Sequence, residues 1–316
     1  MKKRQLGNSE LEIAPLVFGG NVFGWTINEE TSFKLLDAFL DADFNCIDTA
    51  DVYSRWASGN NGGDSEAIIG KWLKQRSNRD KVIIATKVGS EMGEGMKGLS
   101  KSYIKQAVEA SLKRLQTDYI DLYQSHYDDP ETPVEETLEA YGELIKEGKV
   151  RAIGASNFSP ERLRESLEAS AKSSLPRYET FQPEYNLYDR EGYEKDIEPV
   201  CNEYGLGVIS YFSLASGFLT GKYRSEDDLS KSQRGQAVKK YLDDRGNHIL
   251  QALDEVAKQH NSTPASVSLA WLMARPSITA PIASATKLEQ LDALVKAAEL
   301  KLDSTAIEKL TKASAY

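Results

Sequence analysis

The feature that most constrains this chain is an alternation along its whole length: short apolar runs separated by longer amphipathic ones. The short runs are Leu16 to Gly20, Asn45 to Ala50, Val82 to Lys87, Ile120 to His126, Arg151 to Ser156, Thr180 to Pro183, Gly207 to Tyr211 and Ile278 to Ser284. Helical periods fall between and after them, over Glu30 to Ala42, Ser65 to Gln75, Lys101 to Leu115, Val134 to Glu147, Pro160 to Ala171, Lys195 to Tyr204, Ala265 to Ala274 and Lys287 to Glu299. Near-continuous apolar runs belong to strands covered on both faces, which is how a parallel sheet reads. In Val134 to Glu147, by contrast, Val134, Leu138, Tyr141 and Ile145 recur every three or four residues, one face of a helix. Eight such units in 316 residues predict an α/β protein, a single-domain (β/α)8 TIM barrel over 1–316. A doubly wound sheet is the rival. No Gly-x-Gly-x-x-Gly follows any strand, and Gly19, Gly20 and Gly24 have the wrong spacing for it.

Two kinds of segment break the regularity. Residues Gly217 to Gly246 form a long polar stretch carrying Arg224, Arg234 and Arg245, and connections of that length are usually functional or disordered. The glycine-rich segments Gly59 to Gly63 and Gly89 to Gly98 follow the second and third strands, as surface loops or as the rim of a pocket. A formal net charge of -9 argues against nucleic acid and anionic membrane surfaces as main partners. Two cysteines, Cys46 and Cys201, cannot build a disulfide framework, and Cys46 in its apolar run reads as a buried structural thiol. The basic N-terminus lacks the apolar core of a secretory signal, and no segment approaches the ~18 apolar residues of a membrane span. These features predict a cytoplasmic protein with no membrane partner; its oligomeric state is not legible.

Polar residues stand where barrel enzymes do chemistry, at the carboxyl ends of the strands. Asp48, Lys87 and His126 close the second, third and fourth strands, and Tyr53 follows Asp48 by five residues. Each alone is weak, since a lysine at a strand end is usually a solvated charge. Complementary groups at one rim are harder to produce by accident. A free phenol has a pKa of ~10 and is a poor acid at neutral pH. An ammonium beside Tyr53 would lower it toward the working pH, and Asp48 would keep Lys87 charged against burial. His126, neutral, can donate to a carbonyl oxygen as negative charge develops there. Together they read as a carbonyl-reduction site. Lys87 as a Schiff-base nucleophile is the alternative. No metal is expected, because no His-x-x-x-His or Cys-x-x-Cys occurs. A serine hydrolase is disfavoured by the lack of Gly-x-Ser-x-Gly.

In these stretches the chain resembles the aldo-keto reductase superfamily over almost its full length. The resemblance rests on Asp48-Thr49-Ala50-Asp51-Val52-Tyr53, on Ala85-Thr86-Lys87, on Ile120-Asp121-Leu122-Tyr123 leading to His126, and on Gly154-Ala155-Ser156-Asn157-Phe158. It continues in Gln182-Pro183-Glu184-Tyr185-Asn186 and from Tyr211 through Leu214-Ala215-Ser216-Gly217-Phe218-Leu219-Thr220-Gly221-Lys222-Tyr223. The last stretch and Asp64-Ser65-Glu66 are similar to bacterial oxidoreductases related to potassium-channel β subunits.

The resemblance implies an NADP-dependent reductase of aldehydes or ketones, with NADPH as cofactor and NADH possible. Tyr53 is then the proton donor, Lys87 and Asp48 tune it, and His126 orients the carbonyl. By the same resemblance Ser156, Asn157 and Gln182 hold the carboxamide and Tyr211 stacks on the nicotinamide. The loop holding Phe212, Ser213, Leu214, Gly217, Leu219 and Lys222 passes over the pyrophosphate. Ser284, Thr286, Lys287 and Gln290 lie where relatives bind the adenosine phosphate. Relatives commonly carry arginine at Thr286 or Gln290 and asparagine at Leu294, so Lys287 is the remaining cation there. Without the resemblance, Asn157 reads better as a cap for the helix near Pro160, and Tyr211 as core. Phe23, Trp25 and Trp56 are candidates for an apolar substrate pocket. A regulatory cofactor-binding module of the channel-subunit kind is the alternative to an enzyme.

Overall fold

The computed structural model describes residues 2–316. Eight parallel strands close into a barrel in sequence order. They are β1 Val17–Gly19, β2 Cys46–Asp48, β3 Ile83–Val88, β4 Ile120–Ser125, β5 Val150–Ser156, β6 Tyr178–Gln182, β7 Gly207–Ser210 and β8 Ala280–Ala283, with β8 pairing both β7 and β1. The barrel expected from the alternation is the one observed, and each strand lies inside or within two residues of its expected run.

Around it stand α1 Glu29–Asp41, α2 Asp64–Arg76, α3 Lys101–Leu115, α4 Val134–Lys146, α5 Pro160–Ser173, α6 Glu198–Tyr204, α7 Asp244–Gln259, α8 Pro264–Met273, α9 Leu288–Glu299 and α10 Ser304–Ala313. The sequence sets their starts. Asn28, Ser100, Ser159, Thr263 and Asp303 each accept a hydrogen bond from a first-turn N–H of the helix that follows. Pro160 and Pro264 occupy first-turn positions where no N–H is needed. The apolar face of α4 buries Val134, Leu138, Tyr141 and Leu144 against the barrel. Ile145, expected on that face, is only partly buried.

Three elements lie outside the eight units. A short antiparallel pair, Arg4–Gln5 with Glu12–Ile13, brings Leu6, Leu11 and Ile13 into one apolar cluster with the barrel interior. Two-residue strands carry no periodic signal, so the sequence does not announce them. Helices α7 and α10 pack against each other. Helix α7 takes in the last three residues of the polar Gly217–Gly246 stretch, the rest of which holds short 3-10 turns and a single helical turn at Gly235–Val238. Both cysteines are free and buried, Cys46 inside the barrel.

Inward-facing positions recur every second residue along each strand. Cys46, Ala85, Leu122, Ala152, Ile209 and Ala280 form the interior apolar cluster. Two residues further along, β2, β3 and β4 turn polar, with Asp48, Lys87 and Gln124. Gly154 faces Gln124 and Thr180 in the register of the neighbouring strands. A Cβ there would sit 2.1 Å from Thr180 Oγ1, so only glycine leaves this polar layer room. The barrel is therefore greasy at one end and charged at the other.

Candidate active site

Lys87, with no exposed surface, is the hub of the charged end. Its Nζ donates to both carboxylate oxygens of Asp48 at 2.7 Å, to the Thr49 carbonyl at 2.9 Å and to the Tyr53 hydroxyl at 2.9 Å. Asp48 also accepts from Gln182 Nε2 at 2.8 Å and from the Tyr53 hydroxyl at 3.2 Å. Three of the four expected chemical groups thus share one hydrogen-bonded cluster. Burial pulls the Lys87 ammonium's pKa down, and Asp48 opposes that pull. An amine donating in three directions presents no lone pair, which argues against Lys87 as a Schiff-base nucleophile.

The phenol departs from expectation. Burial, then the Asp48 carboxylate and its hydrogen bond, push the Tyr53 pKa well above the usual phenol value. Lys87 was expected to lower it. The phenolate would have to form in a dry site beside a carboxylate 3.2 Å away, and one ammonium already committed to Asp48 does not offset both. Tyr53 is therefore a neutral phenol that retains its proton.

His126 is 9% exposed, and its ring stands 6.1 Å from that of Tyr53 and stacks on Tyr127 at 4.9 Å. Burial, then the Lys87 charge, hold its pKa well below the usual imidazole range, so it is neutral as expected. Its backbone carbonyl accepts from Asn157 Nδ2 at 2.9 Å. Asn157 also donates to Ser156 Oγ at 3.0 Å and accepts from the Tyr211 hydroxyl at 2.8 Å. Its φ of 56° is left-handed, a conformation asparagine tolerates better than most residues. Ser159, not Asn157, caps α5. Tyr211 stands at the cavity wall rather than in the core.

These groups line a cavity of about 1120 Å³ across the C-terminal end of the barrel. Asp48, Tyr53 and His126 line it, as do Ser156, Asn157, Gln182, Tyr211, Phe212, Ser213, Leu214, Gly217, Lys222, Ser284, Thr286, Lys287 and Gln290. Lys87 lies behind Asp48 and Tyr53. Leu219 does not line the cavity: it has no exposed surface and sits in the main core. Phe23 is likewise core, stacked on Phe18 at 5.5 Å. Trp56 remains at the rim, half exposed, with Trp25 packed edge-on against it at 5.5 Å.

The residues present fit a nicotinamide dinucleotide on three counts. Single-ligand pockets usually enclose ~300–1,000 Å³, so this cavity has room for a large cofactor and a small substrate together. Phe212, Ala215, Ser216 and Gly217 all have positive φ, between 48° and 97°. Such strained backbone collects at ligand clamps, and successive N–H groups in these conformations make concave anion sites. Lys222 and Lys287 supply cations to the lining of the same cavity.

Arg224 is engaged with Asp254 at 2.8 Å, whereas Arg234 lines the cavity with a buried Nη2 that has no partner among the described residues. Asn21 and Ser90 also line the cavity and were not anticipated. Asn21 accepts from Ser284 Oγ at 2.8 Å. Only the turns after β1 and β3 bring these two in, and no periodicity marks them. Among the described residues no group of three or more His, Cys, Asp or Glu could hold a metal ion, and no helix is long and apolar enough to cross a membrane.

The aldo/keto reductase family model matches residues 15–315. The chain is 37% identical over 319 residues to the uncharacterized oxidoreductase YrpG of Bacillus subtilis (strain 168), covering 98% of this chain and 95% of the other. It is 36% identical over 292 residues to the aldo-keto reductase YhdN of the same organism, covering 90% and 84%. It is also 31% identical over 309 residues to a probable voltage-gated potassium channel subunit beta of Oryza sativa subsp. japonica, covering 95% and 92%. The chain belongs to the aldo/keto reductase family, which makes it an oxidoreductase.

Proposed function

We propose that this member of the aldo/keto reductase family reduces aldehydes or ketones to alcohols, using NADPH with NADH as the weaker second cofactor. The observation that carries the reading is the Asp48–Lys87–Tyr53 cluster at the wall of a cavity large enough for cofactor and substrate. When bound, the dinucleotide supplies the hydride. Ser156, Asn157 and Gln182 would hold its carboxamide, Tyr211 its ring, the Phe212–Lys222 loop its pyrophosphate, and Lys287 with Thr286 and Gln290 the adenosine phosphate.

The chain's own work is to place the carbonyl and deliver a proton. Tyr53 holds the proton on a neutral phenol that donates to Asp48 over a long 3.2 Å bond, easily exchanged for a substrate oxygen. Lys87 accompanies the phenol at 2.9 Å and stabilises the phenolate left behind, while Asp48 keeps the ammonium charged. Neutral His126 donates to the oxygen as charge develops. Trp56 and Tyr127, both about half exposed, give the mouth an apolar rim.

Titrating NADPH and NADH against tryptophan fluorescence, then assaying a panel of aldehydes and ketones, tests this. Saturable cofactor binding with carbonyl reduction is expected. A folded protein that binds neither cofactor removes the reading. One that binds cofactor but turns over no carbonyl favours a regulatory module of the channel-subunit kind.

A further inference from the structure

We propose that Ser90 is a positioning residue that fixes which nitrogen of His126 carries the proton; this rests on the reading that His126 donates to the substrate oxygen. Ser90 Oγ lies 2.9 Å from His126 Nδ1. The two arrive from different strands: His126 directly follows β4, and Ser90 follows β3 by two residues. Between β3 and Ser90 stands Gly89 with a φ of 115°, a backbone state closed to other residues, which turns the chain back across the strand ends.

Proton accounting gives this contact its meaning. A neutral imidazole has one N–H and one bare nitrogen. A carbonyl oxygen can only accept, so His126 serves it only if Nε2 carries the proton. Nδ1 is then bare and needs a donor. A carboxylate or backbone carbonyl at the Ser90 position would demand the opposite, drawing the proton to Nδ1 and leaving Nε2 unable to donate. A hydroxyl can give its own proton instead. Ser90 Oγ makes no other hydrogen bond among the described residues, so when Nε2 donates to the carbonyl oxygen nothing competes for the hydroxyl proton that a bare Nδ1 accepts. Ser90 also lines the cavity, so the contact forms at the site itself.

The test uses the full chain labelled with 15N-histidine, with and without NADP+, at neutral pH. The His126 resonances are identified by their loss in His126→Gln. The expected state is a protonated Nε2 and a bare Nδ1. Ser90→Ala should shift the tautomer population toward protonated Nδ1 and lower kcat for an aldehyde by about five- to tenfold, the scale of one hydrogen bond. NADPH affinity should not change. Ser90→Thr, which keeps the hydroxyl, should restore both the tautomer and kcat, separating a positional role from a packing defect. A wild-type ring protonated at Nδ1, or a Ser90→Ala ring with an unaltered tautomer, overturns the proposal. A shifted tautomer with unchanged turnover leaves Ser90's hold on the ring standing and removes His126 from the reaction.

Discussion

Replacing Lys87 by methionine removes an ammonium and keeps most of its volume. The wild-type amine satisfies Asp48 twice at 2.7 Å, and Thr49 and Tyr53 at 2.9 Å, with none of its surface exposed. Without it Asp48, 1% exposed, keeps only the Gln182 amide at 2.8 Å and the Tyr53 hydroxyl at 3.2 Å. Removing one member of a buried ion pair typically costs about 3–5 kcal/mol, because the other charge is left uncompensated. The unfolding free energy from urea denaturation should fall by that amount. Adding Asp48→Asn to the Lys87→Met chain should recover most of it, since the stranded charge disappears while the side-chain shape remains. Carbonyl turnover should fall by about 10²–10⁴-fold, as when general acid catalysis is lost, because no cation then stabilises the phenolate. Tyr53→Phe should lose as much turnover but only about 1 kcal/mol of stability. The two changes together should cost little more turnover than either alone, as for residues acting as a unit. A Lys87→Met midpoint equal to wild type would refute the electrostatic account. Turnover losses that multiply in the double variant would refute the unit.

Asp51 offers a test by pH. Its carboxyl is buried, and burial, then Glu66, push its pKa up to about 8. The folded chain therefore holds a proton between about pH 4 and 8 that the unfolded chain releases, so stability falls as pH rises through that window. Asp51→Asn should match wild type near pH 4 and melt higher than wild type at pH 9, the gap opening across the window; parallel melting curves would contradict this. Glu184, pushed up to about 7 by burial and then Asp189, slopes both curves alike and cancels in the comparison. Lys287→Ala should weaken NADPH about tenfold or more and leave NADH unchanged, since a charge-assisted bond to phosphate is worth ~1.5–3 kcal/mol. Equal constants for the variant and wild type would leave Arg234, with its unpartnered Nη2, as the phosphate cation. Gly70→Ala should cost about 1–3 kcal/mol in thermal unfolding, because a Cβ on α2 would lie 2.1 Å from the Arg114 carbonyl of α3; an unchanged melt would mean the helices yield freely.

The barrel was legible because its signal is local. Continuous apolar runs mark strands buried on both faces, the helices between them carry 3.6-residue periods, and the missing Gly-x-Gly-x-x-Gly separates a barrel from a doubly wound sheet. The charged layer of the site was legible too, since inward positions repeat every second residue and Asp48 and Lys87 sit two past Cys46 and Ala85. What sequence could not supply is whatever depends on distances between strands. Burial there reversed the expected direction of the Tyr53 pKa, because desolvation and a carboxylate at 3.2 Å outweigh a lysine already spent on that carboxylate. Burial also moved Phe23 from an expected pocket wall into the core. Ser90 joined the site through a turn at Gly89, whose φ is 115°, and Asn21 through the closure of β8 onto β1. Period and polarity are properties of neighbours along the chain, whereas solvation and charge balance belong to neighbours in space, and only the closed barrel decides who those are.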